Sequence, residues 1–203
     1  MGILDAFGLL YTACKDGDRK RVIWMIKEGA DDWNKGLEGA CLGGHKEIIQ
    51  LMIEKGADDW DQGLEGACIG GRKEIIQLMI EKGADDWNQA LKGACFGGHK
   101  EIVLMMMEKG ADNWKKGLEI ACHEGHKEIV LMMIEKGVST IHNYIRHPKH
   151  KNMLIYLIHN GLEKEELEEV ENIEKLYEIL GEINKVMKYV MPKELIQIVE
   201  EYI

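Results

Sequence analysis

The cysteines of this chain stand 27 residues apart, at Cys14, Cys41, Cys68, Cys95 and Cys122. A fixed spacing of this length is typical of stacked supersecondary units, so the period constrains the fold more strongly than composition does. The second unit runs from Gly29 to Lys55, and it recurs with few changes from three later glycines. We infer a solenoid, in which each repeat contacts its neighbours and the array presents a long surface.

Within one repeat, the pattern predicts two helices. Asp31 and Asp32 are N-cap candidates, because they stand just before apolar residues spaced as one helix face. Gly43 and Gly44 are expected to end this first helix, and the second helix begins at His45–Glu47. Each repeat is therefore expected to be a helix, a tight turn, a helix and a short loop.

The cysteine column is predicted to be a buried part of the core. Packed helices lie about 8–10 Å apart, whereas a disulfide needs Cα atoms closer than about 7 Å. Zinc ligands must converge even more tightly on one ion. Free cysteine is among the most buried residue types, and unpaired thiols fit a reducing compartment.

Glycines inside the first helix indicate how closely neighbouring helices pack. Gly36 and Gly39 of the second repeat each cost about 1 kcal/mol relative to Ala in a helix interior. We expect that their missing side chains let neighbouring helices approach closely.

The repeat resembles the ankyrin repeat. The family pattern of Leu-His-x-Ala-Ala-x-x-Gly-His, an apolar helix and Gly-Ala-Asp is matched from Leu37 to His45 and again at Gly56–Asp58. The Thr-Pro of the family is replaced by Lys35-Gly36, and the six residues missing from each period fall where the family builds its β-hairpin. Such shortened arrays look like those of large DNA viruses.

The resemblance implies an all-α, right-handed ankyrin-like helical solenoid with C-terminal capping helices. The predicted array covers residues 1–161, and residues 162–203 are expected to form the helical cap. The repeats are 1–28, 29–55, 56–82, 83–109, 110–136 and a degenerate copy at 137–161.

One position varies from repeat to repeat while its neighbours do not. This variable column lies one residue past each cysteine and comprises Lys15, Leu42, Ile69, Phe96 and His123. It is about 100° around the helix from the core face, and ankyrin proteins place contact residues here. We call Leu42, Ile69 and Phe96 the apolar ridge and predict that it binds a partner; partial cover by neighbouring helices is the alternative.

Three other columns are given structural interpretations. Residues near the start of the first helix change in charge from repeat to repeat, for example Asn34, Asp61, Asn88 and Lys115, and are interpreted as solvated surface filler. The tryptophan column, which comprises Trp33, Trp60, Trp87 and Trp114, is interpreted as stacked structural aromatics rather than a ligand site. The column at the turn, which comprises His45, Arg72, His99 and His126, is expected to form a turn-bridging hydrogen bond, as in other ankyrin repeats.

The C-terminal segment 191–203 carries a second hypothesis. It resembles the first helix of an F-box, which recruits a cullin-type ubiquitin ligase. The matching residues proposed to bind the ligase are Pro192, Glu194, Leu195, Val199 and Tyr202. The histidines at His142, His147, His150 and His159 match no known metal-ligand spacing, so no metal is expected there.

The net charge, the length of apolar runs and the motif content of the chain exclude several classes of function. A net charge of −10 argues against nucleic acid, and no apolar run approaches the length of a membrane span. No catalytic motif is present, so we expect neither an enzyme nor a cofactor, and we predict a cytoplasmic location. The favoured function is protein binding through the concave face of the first helices. A ligase adaptor and a self-associating structural protein are the alternatives.

Overall fold

The computed structural model describes residues 6–136 of the chain. Every regular element in this part is an α-helix, as the all-α prediction required. The ten helices of residues 6–136 are α1 (Ala6–Lys15), α2 (Arg19–Lys27), α3 (Trp33–Gly43), α4 (Lys46–Lys55), α5 (Trp60–Ile69), α6 (Lys73–Lys82), α7 (Trp87–Gly97), α8 (Lys100–Glu108), α9 (Trp114–Glu124) and α10 (Lys127–Glu135). Odd-numbered helices are the first helices of their repeats and even-numbered helices the second. The predicted degenerate repeat and C-terminal cap lie outside the described residues.

Aspartates fix where the first helices begin. Oδ1 of Asp32 accepts a hydrogen bond from the backbone N–H of Lys35 at 3.1 Å, and Asp59 and Asp86 accept equivalent bonds. The N–H groups of a first helical turn have no partner within the helix, so a carboxylate at the N-cap stabilises the helix start. Of the two predicted N-cap residues, Asp32 is the one that caps α3. Asp31 precedes it and is exposed to solvent.

Glycine ends the helices as predicted. Gly44 follows α3 with φ 91°, and its N–H donates to the carbonyl of Ala40 at 2.9 Å. Gly56 follows α4 with φ 109°. Both angles lie in the left-handed region, which glycine adopts without the steric cost that a Cβ imposes.

The core is built from the same columns in every repeat. In the second repeat Leu37, Ala40 and Cys41 are 0% exposed on the first helix, and Ile49 and Met52 are almost fully buried on the second. Burial of a leucine-sized side chain stabilises the fold by about 1.5–3 kcal/mol. None of the buried side chains among residues 9–133 is polar or charged. The repeats are therefore joined by apolar contact inside and by polar contacts near the surface.

Glycine also sets the distance between successive first helices. A Cβ at Gly66 would lie 2.5 Å from the carbonyl oxygen of Glu38, and one at Gly93 would lie 2.8 Å from that of Glu65. The predicted close approach is confirmed for this position, because a side chain here would collide with the neighbouring backbone, whereas a Cβ at Gly36 would meet the side chain of Met52. In the fifth repeat Ile120 takes this position, and α9 packs less extensively against α7 than the earlier first helices pack against one another.

Candidate functional site

The variable column lies at the C-terminal end of each first helix. Phe96 is 51% exposed, and Lys15 and His123 are also exposed. Leu42 and Ile69 are half-buried. The neighbouring helices thus cover part of the apolar ridge, as the alternative interpretation held, and leave Phe96 open to solvent.

The backbone of this column is held by the following repeat. Nε2 of His45 donates a hydrogen bond to the carbonyl oxygen of Lys15 at 3.0 Å, and Nε2 of His99 donates to that of Ile69 at 3.0 Å. A carbonyl can only accept, so the ring proton stands on Nε2 in each case. The predicted bond therefore exists, and it links two adjacent repeats.

The remaining two turns show the same contact. Nε2 of His126 donates to the carbonyl of Phe96 at 2.9 Å. Arg72 replaces histidine at its turn, and its Nε donates to the carbonyl of Leu42 at 3.1 Å. Arginine thus substitutes for histidine in the structural bond, which explains why the turn column tolerates both residues.

The turn glycines allow this close contact. A Cβ at Gly70 would lie 2.1 Å from the carbonyl oxygen of Leu42, and one at Gly97 would lie 2.2 Å from that of Ile69. Each of these carbonyls is therefore enclosed by a turn glycine and by the side chain of Arg72 or His99. Because the backbone is fixed in this way, the ridge side chains leave it in defined directions.

Charged residues flank the column one helical turn earlier. Glu38 accepts from Nζ of Lys35 at 2.7 Å, and this hydrogen bond raises the pKa of Lys35. Glu65 accepts a hydrogen bond from Nε2 of Gln89 at 2.7 Å, and this bond joins α5 to α7, the first helices of two successive repeats. In the fourth repeat this flanking position is Lys92. The border of the ridge is thus acidic beside Leu42 and Ile69 and basic beside Phe96.

The filler interpretation is wrong for Asn34, Asp61 and Asn88. Oδ1 of Asn34 accepts from the backbone N–H groups of Asp58 and Asp59 at 2.9 and 3.1 Å. Its Nδ2 also donates to Oδ1 of Asp58 at 3.3 Å. Asp61 and Asn88 bind the next loops in the same way, through two backbone N–H groups each. These residues order the loops; the sequence signal was that all three positions hold Asn or Asp.

The cysteine prediction is confirmed for the first four repeats. Cys14, Cys41, Cys68 and Cys95 are free thiols with 0% exposure. Burial raises the pKa of each thiol to about 12, because a thiolate would lose its hydration inside the core. These groups are therefore poor nucleophiles at neutral pH. Cys122 is partly buried.

Four tryptophans begin the first helices of the second to fifth repeats and are half-buried: Trp33, Trp60, Trp87 and Trp114. Nζ of Lys82 lies 5.8 Å from the ring centre of Trp60, and Nζ of Lys109 lies 5.1 Å from that of Trp87. Each pair joins the start of a first helix to the end of the second helix of the same repeat. These cation–π contacts support the structural interpretation of the tryptophan column.

The described part of the chain also bears on metal, small-molecule and membrane binding. No group of three or more potential ligands among residues 6–136 is placed to hold a metal ion. A shallow depression of about 370 Å³ lies between the first two turns, beside Arg19, Gly44 and His45. None of the described helices is long and apolar enough to cross a membrane. The histidines of 142–159 and the proposed ligase-binding residues of 191–203 lie outside the described residues.

Solved structures that are similar to this chain include an ankyrin repeat domain. No family model and no curated protein matches the chain. The chain is similar to the crystal structure of the human ASB11 ankyrin repeat domain, with 22% sequence identity and a TM-score of 0.45. The match covers 64% of this chain and 69% of that one.

The geometry of the described repeats agrees with the ankyrin-like array that the sequence predicts. Each described unit is a helix, a glycine-containing turn, a second helix and a short loop, joined to the next unit at the turn. The repeats are ankyrin-like. Residues 56–59 alone separate α4 from α5, and no strand is present in residues 6–136, which agrees with the predicted loss of the ankyrin hairpin.

Proposed function

We propose that the protein is a protein–protein interaction module. It binds a partner protein through the apolar ridge of Leu42, Ile69 and Phe96, with Lys15 and His123 at the two ends of the site. The observation that carries the proposal is the 51% exposure of Phe96 on a backbone that His126 holds in place. An exposed aromatic side chain on a fixed backbone is an efficient contact, since little conformational entropy is lost on binding.

The continuous row that the ridge residues form along the array supports this site. The ridge residues occupy the same position in three successive repeats, and packed helices are about 8–10 Å apart, so their side chains form one row. Contiguous apolar surface of this kind marks interaction sites. The core columns on the same helices are constant, whereas this one changes, as expected where the partner and not the stack selects the residue.

A binding experiment with two matched variants tests the proposal. The ridge variant is Ile69→Glu/Phe96→Glu, and the control is Gln50→Glu/Gln77→Glu on exposed positions of α4 and α6. Proteins captured by the immobilised full chain are identified by mass spectrometry, and binding of each purified candidate is then measured directly. The ridge variant should weaken binding of the true partner at least tenfold, whereas the control should leave it unchanged. Equal affinity for both variants would show that the ridge is not the site.

The ligase-adaptor function is tested in the same experiment by deletion of residues 191–203. An adaptor would lose cullin-ligase subunits on deletion and keep its ridge partner. A self-associating protein would instead show a ridge-dependent change in molecular mass by light scattering. The cytoplasmic location stays a prediction.

A further inference from the structure

Arg72 differs from the other residues of the turn column. Its Nε forms the bond to the carbonyl of Leu42 that histidine forms at the other turns. Histidine meets this structural need in three repeats without a permanent charge. Arginine adds a full positive charge and two outer nitrogens, Nη1 and Nη2, that the structural bond does not use.

The charge of Arg72 is not neutralised within the described part of the chain. Neighbouring cations at the turns are paired: Lys46 with Glu74, and Lys73 with Glu101. In contrast, none of the hydrogen bonds and ion pairs among residues 6–136 involves Nη1 or Nη2 of Arg72, and the residue is exposed. The two outer nitrogens of Arg72 therefore have no partner among residues 6–136, whereas Lys46 and Lys73 each have one.

The position of this guanidinium relates it to the ridge. It is bonded to the carbonyl of Leu42 and lies over Gly44, where an added Cβ would be 3.1 Å from both Cδ and Nε of Arg72. Because Nε is engaged, the plane of the group is fixed. Its outer edge, formed by Nη1 and Nη2, matches the two oxygens of a carboxylate.

We propose that Arg72 recognises an aspartate or glutamate of the partner, placed next to the apolar side chain that packs on Leu42. This inference rests on the function proposed above and specifies the partner's chemistry. A single carboxylate fits one free guanidinium. A phosphoryl group is bound by clusters of cations, and here Lys46 and Lys73 are already paired.

The test uses a phage-displayed library of random 12-residue peptides, selected against the immobilised full chain. Peptides that depend on the ridge, identified by loss of binding to Ile69→Glu/Phe96→Glu, should carry an acidic residue close to an apolar one. Synthetic peptides with this residue as Asp or Glu are then compared with their Asn or Gln counterparts.

Arg72→His is the matched variant, since histidine keeps the bond to the carbonyl of Leu42 and removes the free guanidinium. Arg72→Gln is the second variant. For both variants, acidic peptides should bind about tenfold more weakly than to the natural chain, whereas the amide peptides should bind equally to all three. The difference should shrink as salt concentration rises.

The outcomes separate the two proposals. Ridge-dependent peptides without acidic residues, or acidic peptides that bind Arg72→His as tightly as the natural chain, would overturn the carboxylate inference alone. Selected peptides that are indifferent to the ridge variant, or the absence of any selected peptide, would contradict both the inference and the proposed function.

Discussion

At the residue scale, the repeats act as internal controls for one another. Asn34 and Asn88 each accept two backbone N–H bonds and donate from Nδ2 to the next loop's aspartate. Asp61 accepts the same two bonds, but a carboxylate has no N–H to donate to the side chain of Asp85. The third repeat therefore lacks one hydrogen bond and brings two negative charges together.

Asp61→Asn should consequently stabilise the fold. We expect a gain of about 0.5–1.5 kcal/mol, the net contribution of one hydrogen bond, measured by urea denaturation. The reverse change, Asn34→Asp, serves as the matched control and should destabilise the protein by a similar amount. A loss of stability in Asp61→Asn would show that the loop geometry differs between repeats.

At the element scale, the two glycines of α5 face different neighbours, one a backbone and the other a flexible side chain. Gly66 faces the backbone of α3, where an added Cβ would lie 2.5 Å from the carbonyl oxygen of Glu38. Gly63 faces the flexible end of Met79, whose Sδ would be 2.7 Å from an added Cβ. The fourth repeat has Ala90 at the position of Gly63, fully buried, so a methyl group is accommodated there.

Alanine at these two positions should therefore have opposite effects. Gly66→Ala forces α3 and α5 apart and should destabilise the protein by about 1–3 kcal/mol. Gly63→Ala requires only a movement of Met79 and gains helix propensity, so its effect should lie between zero and about 1 kcal/mol of stabilisation. Chemical denaturation of the two variants measures both effects. Equal destabilisation would mean that helix spacing is not set by Gly66.

At the scale of the whole molecule, the thiol column links stability to alkaline pH. Four buried thiols have their pKa raised by burial from the ordinary value near 9 to about 12. Between these values the unfolded chain has lost the thiol protons and the folded chain retains them. The unfolded state is therefore favoured as pH rises, and each thiol removes about 1.4 kcal/mol of stability per pH unit.

The stability contributed by the neutral thiols should be complete below about pH 8.5 and should fall steeply from there toward pH 12. Urea denaturation at a series of pH values gives the slope. Cys68→Ala removes one thiol, so its slope should be shallower by about 1.4 kcal/mol per pH unit, while lysine titration affects both proteins alike. Identical slopes would indicate that the thiols titrate normally in the folded chain.

The sequence by itself determined the period, the helix boundaries and the core columns of this protein. These features are local: an aspartate caps the helix that follows it, a glycine ends the helix before it, and apolar spacing marks the buried face. Five copies of the pattern made each of these assignments repeatable. The position of the variable column was also readable, because it is the neighbour of the buried cysteine on the same helix.

Only the tertiary structure decided how one repeat is attached to the next. The bond from Asn34 to Asp58 spans 24 residues, and that from Arg72 to Leu42 spans 30 residues. Both depend on the distance and rotation between stacked helices, which composition and periodicity do not encode. For this reason the sequence suggested that Asn34 was surface filler, and it predicted for Arg72 only the turn-bridging bond that the histidines of its column form. Stacking makes the first a loop anchor and leaves the second with a free guanidinium at the edge of the ridge.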